Sequence, residues 1–340
     1  MPGQVVCAPD KLRGSLSAEA AAAALARGVR RAGRTADACP VADGGEGTLA
    51  VLVAAGLATP VAVEARDPLG RPRTAHIGEL CDGAFLIEVA EAAGLSLLAL
   101  CERDPLRADT AGVADLVRAA LERGARRLVV GLGGTATVDA GAGMLGALGV
   151  TPPGSLGVEL DVLYDVDVPL SGPDGAVRLF GPQKGVRPDQ VAALDEALAR
   201  RAATYGPGVA ERPGAGAAGG LGAALYSLGG RGRSGAEAIL ELLGLERRLQ
   251  GAALCLTAEG AVDRSSARGK AVAAVVRAAQ RAGVPCAVIG GRVDAEGAEA
   301  MRRLGAVEVR ALGPSSRRLE IAAPLAAEEL ESAAWDLARA

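Results

Sequence analysis

Gln4-Val5-Val6-Cys7-Ala8-Pro9-Asp10-Lys11-Leu12-Arg13-Gly14-Ser15-Leu16-Ser17 begins with an apolar run, passes through a polar turn and ends on a helix cap. Gln4 to Ala8 reads as a buried strand and Pro9 to Gly14 as a loop; Ser17 caps a helix with Glu19 in its first turn, which Arg30, Arg31 and Gly33 close. The same order returns at once, with Cys39 to Ala42 as a second strand, Asp43-Gly44-Gly45-Glu46-Gly47-Thr48 as its loop, and a second helix behind it. Two successive strand ends therefore deliver an aspartate in a glycine-containing loop. In open α/β sheets that edge is where ligands bind.

Farther along, Val61 to Ile87 alternates and is broken by Asp67-Pro68-Leu69-Gly70 and Asp82-Gly83, a pattern of antiparallel hairpins. Asp109 to Arg123 is an amphipathic helix, and Arg127 to Val130 is a strand that runs into Gly131-Leu132-Gly133-Gly134-Thr135-Ala136-Thr137-Val138-Asp139. A poorly patterned stretch follows Gly149, then a Gly- and Pro-rich loop over residues 169–185 and a helix over 189–203. Strand, loop and helix resume at Ala253 to Thr257, Ala258 to Gly269 and Lys270 to Ala282, and Pro285 to Ile289 and Val307 to Ala311 read as two more parallel strands. The late strands resemble the early ones. The fold predicted is α/β: residues 1–62 and 251–340 form one Rossmann-like parallel sheet from both chain ends, and residues 63–250 form an inserted α/β domain that carries the glycine-rich loop.

At 340 residues two domains of ordinary size are the default. Half the residues are apolar but only 2% are aromatic, so Ala, Val and Leu must fill the interior, which suits helices on a parallel sheet. A net charge of -3 gives no reason to expect nucleic acid or an anionic membrane as partner. No apolar run reaches the ~20 residues that span a bilayer, and no charged start precedes a long apolar stretch, so a cytoplasmic location is expected. Six scattered cysteines without a C-x-x-C pair, and one histidine, argue against a structural zinc site. Among 37 basic residues only Lys11, Lys184 and Lys270 are lysines, each in a glycine-containing turn; they are either survivors of a background bias towards arginine or positions that need a compact ammonium, and the turns favour the second.

Glycines after a strand present backbone N–H groups to phosphate, which makes Gly133, Gly134 and Thr135 candidates for a phosphate cradle. Gly131, Gly133 and Ala136, and again Gly214, Gly216 and Gly219, fit dinucleotide spacings weakly; the first lacks the acidic residue about 20 positions on, and the second does not follow a strand. A nicotinamide dehydrogenase is thus the runner-up, and no P-loop motif exists. Phosphoryl transfer to an alcohol needs cations on the phosphates, carboxylates for Mg²⁺ and a carboxylate near the acceptor hydroxyl. Asp10, Asp43, Glu46, Asp139, Glu259 and Asp263 supply the carboxylates, and Lys11, Arg13, Lys184, Arg268 and Lys270 the cations. Arg13, Arg66, Arg71 and Arg292 are forks able to take a substrate carboxylate.

Ala8-Pro9-Asp10 through Ser17, Ala42 to Thr48, Asp67 to Pro72, Ile87 to Leu95, Gly131 to Gly149, Phe180-Gly181-Pro182-Gln183-Lys184-Gly185, Pro213 to Gly222 and Glu259 to Lys270 together resemble the bacterial glycerate kinase family of the first type. The resemblance runs in order from residue 5 to about 291. It implies D-glycerate and ATP as substrates, Mg²⁺ as the metal, ADP and a phosphoglycerate as products, with the 2-position the commoner target, and two α/β domains with the active site in the cleft between them. On that basis Asp263 or Asp10 takes the hydroxyl proton, with Arg13 and Lys11 beside it; Gly133, Gly134, Thr135, Lys184, Lys270 and Glu259 hold the nucleotide; and Asp43 or Asp139 holds Mg²⁺. The expected partners are the small acid and at most a second copy of the chain.

Several motif positions depart from the family. The usual D-S-F-K-G is Asp10-Lys11-Leu12-Arg13-Gly14, the Asn and Gly around Asp139 are Val138 and Ala140, G-E-G-R-[IL]-D becomes Ala258-Glu259-Gly260-Ala261-Val262-Asp263, and an Asn before Pro169 is Val168. Either the site is re-tuned, with Arg264 replacing the lost cation, or the chain is a weakened or re-targeted paralogue, or a sensor that binds ATP or a hydroxy acid without turnover. Retention of all six carboxylates with Lys184 and Lys270 favours an active kinase.

Overall fold

The computed structural model describes residues 3–267, 269–313 and 323–339. Eleven strands among the described residues, numbered along the chain, form two sheets in two compact units. The first unit comprises Met1–Asp43, Ala50–Ala55 and Ala236–Ala340, and the second Gly44–Leu49 and Gly56–Gly235.

The first unit holds β1 (Val5–Cys7), β2 (Ala36–Ala38), β9 (Leu254–Val262), β10 (Cys286–Val293) and β11 (Ala306–Ala311), all parallel, in the order β11-β10-β9-β1-β2. Counted from the β2 edge this is the 2-1-3-4-5 order of doubly wound sheets, whose switch point falls between the first and third strands in sequence, here β1 and β9. Helix 18–31 begins where Ser17 Oγ accepts the Ala20 N–H at 3.2 Å. Its Leu25 and Val29 are buried with Leu256, Ile289, Leu330 and Leu337 in a core of small and branched side chains. Gly28 has to be glycine, because a Cβ there would lie 2.1 Å from the carbonyl oxygen of Glu331 in helix 323–339.

The second unit is built on β3 (Ala58–Arg66), β4 (Pro72–Leu80), β5 (Phe85–Glu88), β6 (Arg127–Gly131), β7 (Glu159–Tyr164) and β8 (Arg231–Ser234), which neighbour one another in chain order. β3, β4 and β5 pair antiparallel, as the broken alternation predicted, and β5 through β8 pair parallel. Helix 111–122 buries Val113, Leu116 and Val117 in the same core as Ile77, Ile87 and Val130.

Three sequence expectations shift. The second strand is Ala36–Ala38 rather than Cys39 to Ala42; Cys39 and Val41 still donate backbone bonds to Cys7 O (2.8 Å) and Pro9 O (2.9 Å), so this segment is a buried apolar loop beside β1. β7 lies in the stretch after Gly149 that showed no pattern. The compact units change over at 43/44, 49/50, 55/56 and 235/236, where the sequence suggested 62/63 and 250/251: β3 has started by Ala58, and β8 ends at Ser234. Cys7, Cys39, Cys255 and Cys286 are buried free thiols. No helix among the described residues is long and apolar enough to cross a membrane.

Ala218 adopts a left-handed conformation (φ 53°, ψ 36°) that an L side chain pays for sterically. Ala218→Gly should therefore stabilise the second unit by about 1 kcal/mol, raising Tm by roughly 2–4 °C in a thermal melt. An unchanged or lower Tm would mean that the half-buried methyl offsets the strain.

Candidate active site

The carboxylates of the first unit converge at the switch point. Beyond Cys7 the backbone stays paired to β9, with Ala8 N–H donating to Leu256 O at 2.7 Å and Asp10 N–H to Ala258 O at 2.8 Å. The Thr257 hydroxyl donates to Ala8 O at 2.7 Å. Asp10 is thereby fixed beside the segment that carries Glu259, and its Oδ1 accepts the Lys11 N–H at 2.7 Å. Burial, then the negative charge of Asp43, push the Asp10 carboxyl up to about 7 against the pull of Lys11, and Glu259 adds a further negative charge. The Glu259 carboxyl is also raised by burial, partly countered by Lys270, whose Nζ lies 3.4 Å from Oε2. Its Oε1 is buried without a hydrogen-bond partner among the described residues.

Past Glu259 the strand ends in a tight turn. Asp263 accepts the Ser265 N–H at 2.8 Å and the Ser265 hydroxyl, and these bonds with Lys270 outweigh its burial and hold its carboxyl below the usual range. Ser266, fully buried, accepts from Asp263 N–H at 3.1 Å and from Lys270 Nζ at 3.4 Å and donates to Ala261 O at 3.1 Å. Its hydroxyl joins the strand end, the turn and the lysine, a role that sequence reading missed. Gly260 leaves a built Cβ only 3.0 Å from Arg13 N, so the first loop packs against this turn. Asp10, Lys11, Arg13, Asp43, Glu259, Asp263 and Lys270 thus all belong to one unit, with Arg292 on β10 paired in register to Ala261. Arg268 lies outside the described residues.

The remaining sequence candidates lie in the second unit. Gly131 and Gly133 are glycine for close packing, since a Cβ would stand 1.9 Å from Gly44 O and 2.5 Å from Gly45 Cα respectively; Gly134 is at φ +65°. The loop after β6 is pinned by Leu95 N–H to Gly134 O at 2.7 Å and Ala136 N–H to Ala93 O at 2.8 Å. Against it stands Lys184, buried at the end of the turn Pro182–Lys184, with Nζ donating to Thr137 O at 2.8 Å and to Thr135 Oγ1 at 3.1 Å. Burial lowers its ammonium to about 8 against the attraction of Asp139, and no carboxylate lies within ion-pair distance of it among the described residues. The nucleotide set inferred from sequence is thus divided: Gly133, Gly134, Thr135 and Lys184 in this unit, Glu259 and Lys270 in the other.

Asp139 is not presented as a metal ligand. Its Oδ2 accepts from Thr110 N–H (3.0 Å), the Thr110 hydroxyl (2.8 Å) and Gly143 N–H (2.9 Å), and its Oδ1 from Gly141 N–H (3.1 Å), which caps helix 142–148. The second dinucleotide-like run is also structural: a Cβ at Gly216 would meet Pro169 O at 2.2 Å and one at Gly219 would meet Thr137 O at 1.9 Å. Arg66 is spent on Asp115, at 2.8 and 2.9 Å, and Arg71 on Asp67 and Glu102, which leaves Arg13 and Arg292, both exposed, as the forks for a carboxylate. No cage of three or more His, Cys, Asp or Glu side chains exists among the described residues. Mg²⁺ does not require one, because it is usually held by one or two carboxylates together with substrate phosphates. The mutually repelling Asp10 and Asp43 and the orphaned Glu259 Oε1 fit a small divalent cation.

A doubly wound sheet with carboxylates and a lysine at its switch point in one unit, and a buried lysine on a glycine-rich loop in the other, define the class: an α/β enzyme equipped for small-molecule group transfer without a P-loop. The Glycerate kinase family matches residues 5–157 and 151–340. The chain is 37% identical over 370 residues to the glycerate kinase of Bacillus subtilis (strain 168), covering 98% of this chain and 97% of that one. It is 36% identical over 323 residues to the glycerate 2-kinase of Escherichia coli (strain K12), covering 85% of each. A crystal structure from Salmonella typhimurium LT2, provisionally described as glycerate kinase 2, superposes with a TM-score of 0.81 at 33% identity over 99% of this chain and 98% of that one. The chain belongs to the glycerate kinase family.

Proposed function

We propose that this enzyme transfers the γ-phosphoryl group of ATP to the 2-hydroxyl of D-glycerate, giving ADP and 2-phosphoglycerate. The observation that carries the reading is the backbone pairing of Asp10 to Ala258, which gathers Asp10, Asp43, Glu259 and Lys270 at one switch point in a chain of this family. Asp10 accepts the proton of the acceptor hydroxyl as the new O–P bond forms and the bond to the ADP oxygen breaks; a carboxyl held near 7 is matched to that task, whereas Asp263, kept ionised by its hydrogen bonds, is the weaker base and orients its turn. Arg13 and Arg292 take the glycerate carboxylate. Mg²⁺, when bound, neutralises charge on the phosphates; Asp43 and Glu259 are the residues that would hold it. In the second unit Gly134, Thr135 and Lys184 hold nucleotide phosphates.

The departures from the family pattern support tuning over loss. Val138 and Ala140 are buried in the second unit's core, so the polar groups given up there are replaced by packing. A weakened enzyme would have little reason to keep Asp10 at a buried position that opposes its charge. Free buried thiols and ATP as donor agree with a cytoplasmic protein. Phosphorus NMR of the product mixture tests the regiochemistry: 2-phosphoglycerate is expected, and 3-phosphoglycerate as the sole product would reassign the acceptor hydroxyl.

A further inference from the structure

The loop after β6 and Lys184 leave more hydrogen-bond donors than acceptors. Lys184 Nζ carries three hydrogens and has two acceptors, Thr135 Oγ1 and Thr137 O. Thr135 Oγ1 accepts one of them, which turns its own hydrogen away from the lysine. Thr137 is fully buried and its Oγ1 has no hydrogen-bond partner among the described residues. A buried hydroxyl left this way is destabilising unless a ligand or an ordered water completes it. Relaxation of the loop is blocked: Gly219 brings its Cα against the Thr137 carbonyl, where even a Cβ would come within 1.9 Å, and Ala136 N–H is tied to Ala93 O at 2.8 Å. Asp139, the nearest acid in sequence, is saturated by Thr110, Gly141 and Gly143.

We infer that the Thr137 hydroxyl is a binding group for an anionic oxygen of the substrates, on the same loop as the Thr135 hydroxyl and on the residue whose carbonyl anchors the Lys184 ammonium. A phosphoryl oxygen of the nucleotide and the carboxylate of the acid share this chemistry. The inference deepens the kinase reading by adding a residue to its anion site, and it depends on that reading only for the identity of the ligand.

Calorimetric titration of the full chain with ADP, D-glycerate and inorganic phosphate tests it, on wild type, Thr137→Val, Thr137→Ser and Thr137→Ala. Removing a hydroxyl that bonds a charged group should weaken ADP or D-glycerate by about tenfold in both Val and Ala variants, while Ser stays within about twofold of wild type. The ligand-free Tm of Thr137→Val should equal or exceed that of wild type, since the near-isosteric change deletes an unsatisfied polar atom. Loss confined to ADP and inorganic phosphate assigns a phosphoryl oxygen; loss confined to D-glycerate assigns the carboxylate. Unchanged affinities for all three probes in Val and Ala would overturn the inference, as would wild-type protein that binds none of them. A failure of the kinase reading alone would look different: wild type would still bind inorganic phosphate through Thr137 and show no turnover with ATP and D-glycerate.

Discussion

Asp10→Asn should lower kcat by roughly 10²–10⁴ and at the same time raise the stability of the protein above neutral pH. The first effect follows from the role proposed for Asp10 as proton acceptor at the switch point. The second follows from what burial and Asp43 do to the carboxyl. Below about pH 4 the group is neutral in folded and unfolded chains alike. Between its ordinary value of 3.8 and about 7 the unfolded chain releases the proton and the folded protein keeps it, so stability falls with rising pH across that window; above about 7 the folded protein carries the full cost of the buried charge. That cost is on the order of a few kcal/mol. An asparagine has the shape without the charge, so the Tm of the variant should exceed that of wild type at pH 8 and the difference should shrink towards pH 4.5. Thermal melts at the two pH values, beside steady-state kinetics, read both effects. A variant that loses activity and stability together at pH 8 would assign Asp10 a purely structural role.

Lys184→Met carries the other large effect, a fall of roughly 10²–10³ in kcat/KM for ATP, the scale of losing one preorganised charged donor from a water-excluded site. Lys184→Arg should not restore it: the ammonium is buried and its two acceptors, at 2.8 and 3.1 Å, close around a point charge, where a planar guanidinium has no matching geometry. The ammonium is destabilising to the fold, because burial lowers it from 10.5 to about 8; stability should rise as pH climbs through that interval, where the folded protein gives up the proton and the unfolded chain retains it. Rates of the Met variant within about threefold of wild type would show that Lys184 serves packing alone.

Much of this was legible in the chain because backbone chemistry leaves local marks. The Ser17 cap, the hairpin turns at Asp67–Gly70 and Asp82-Gly83, and the apolar runs of the parallel strands announced their elements. The scarcity of lysine singled out Lys184 and Lys270, which the structure places against a threonine pair and a buried glutamate. Sheet order was hidden, since it depends on which distant strands pair: nothing local tells that Asp10 lies along Ala258. Asp139 resembled a metal ligand in sequence because a capping aspartate and a ligating one share the same glycine-rich surroundings, and only its four donors separate them. The glycines of the loop after β6 were likewise ambiguous between cradle and packing; Gly131 and Gly133 proved to face backbone. Ser266 and Thr137 were missed because hydroxyls acquire meaning from burial and from the count of partners, and a sequence reports neither.

Kinase activity on D-glycerate is read by a coupled assay of ADP release by the purified protein with ATP, Mg²⁺ and D-glycerate, run against L-glycerate, tartronate and no acceptor. ADP release that depends on D-glycerate and exceeds that with the other acids is expected. Equal release with and without D-glycerate, from protein that binds ATP, would contradict it.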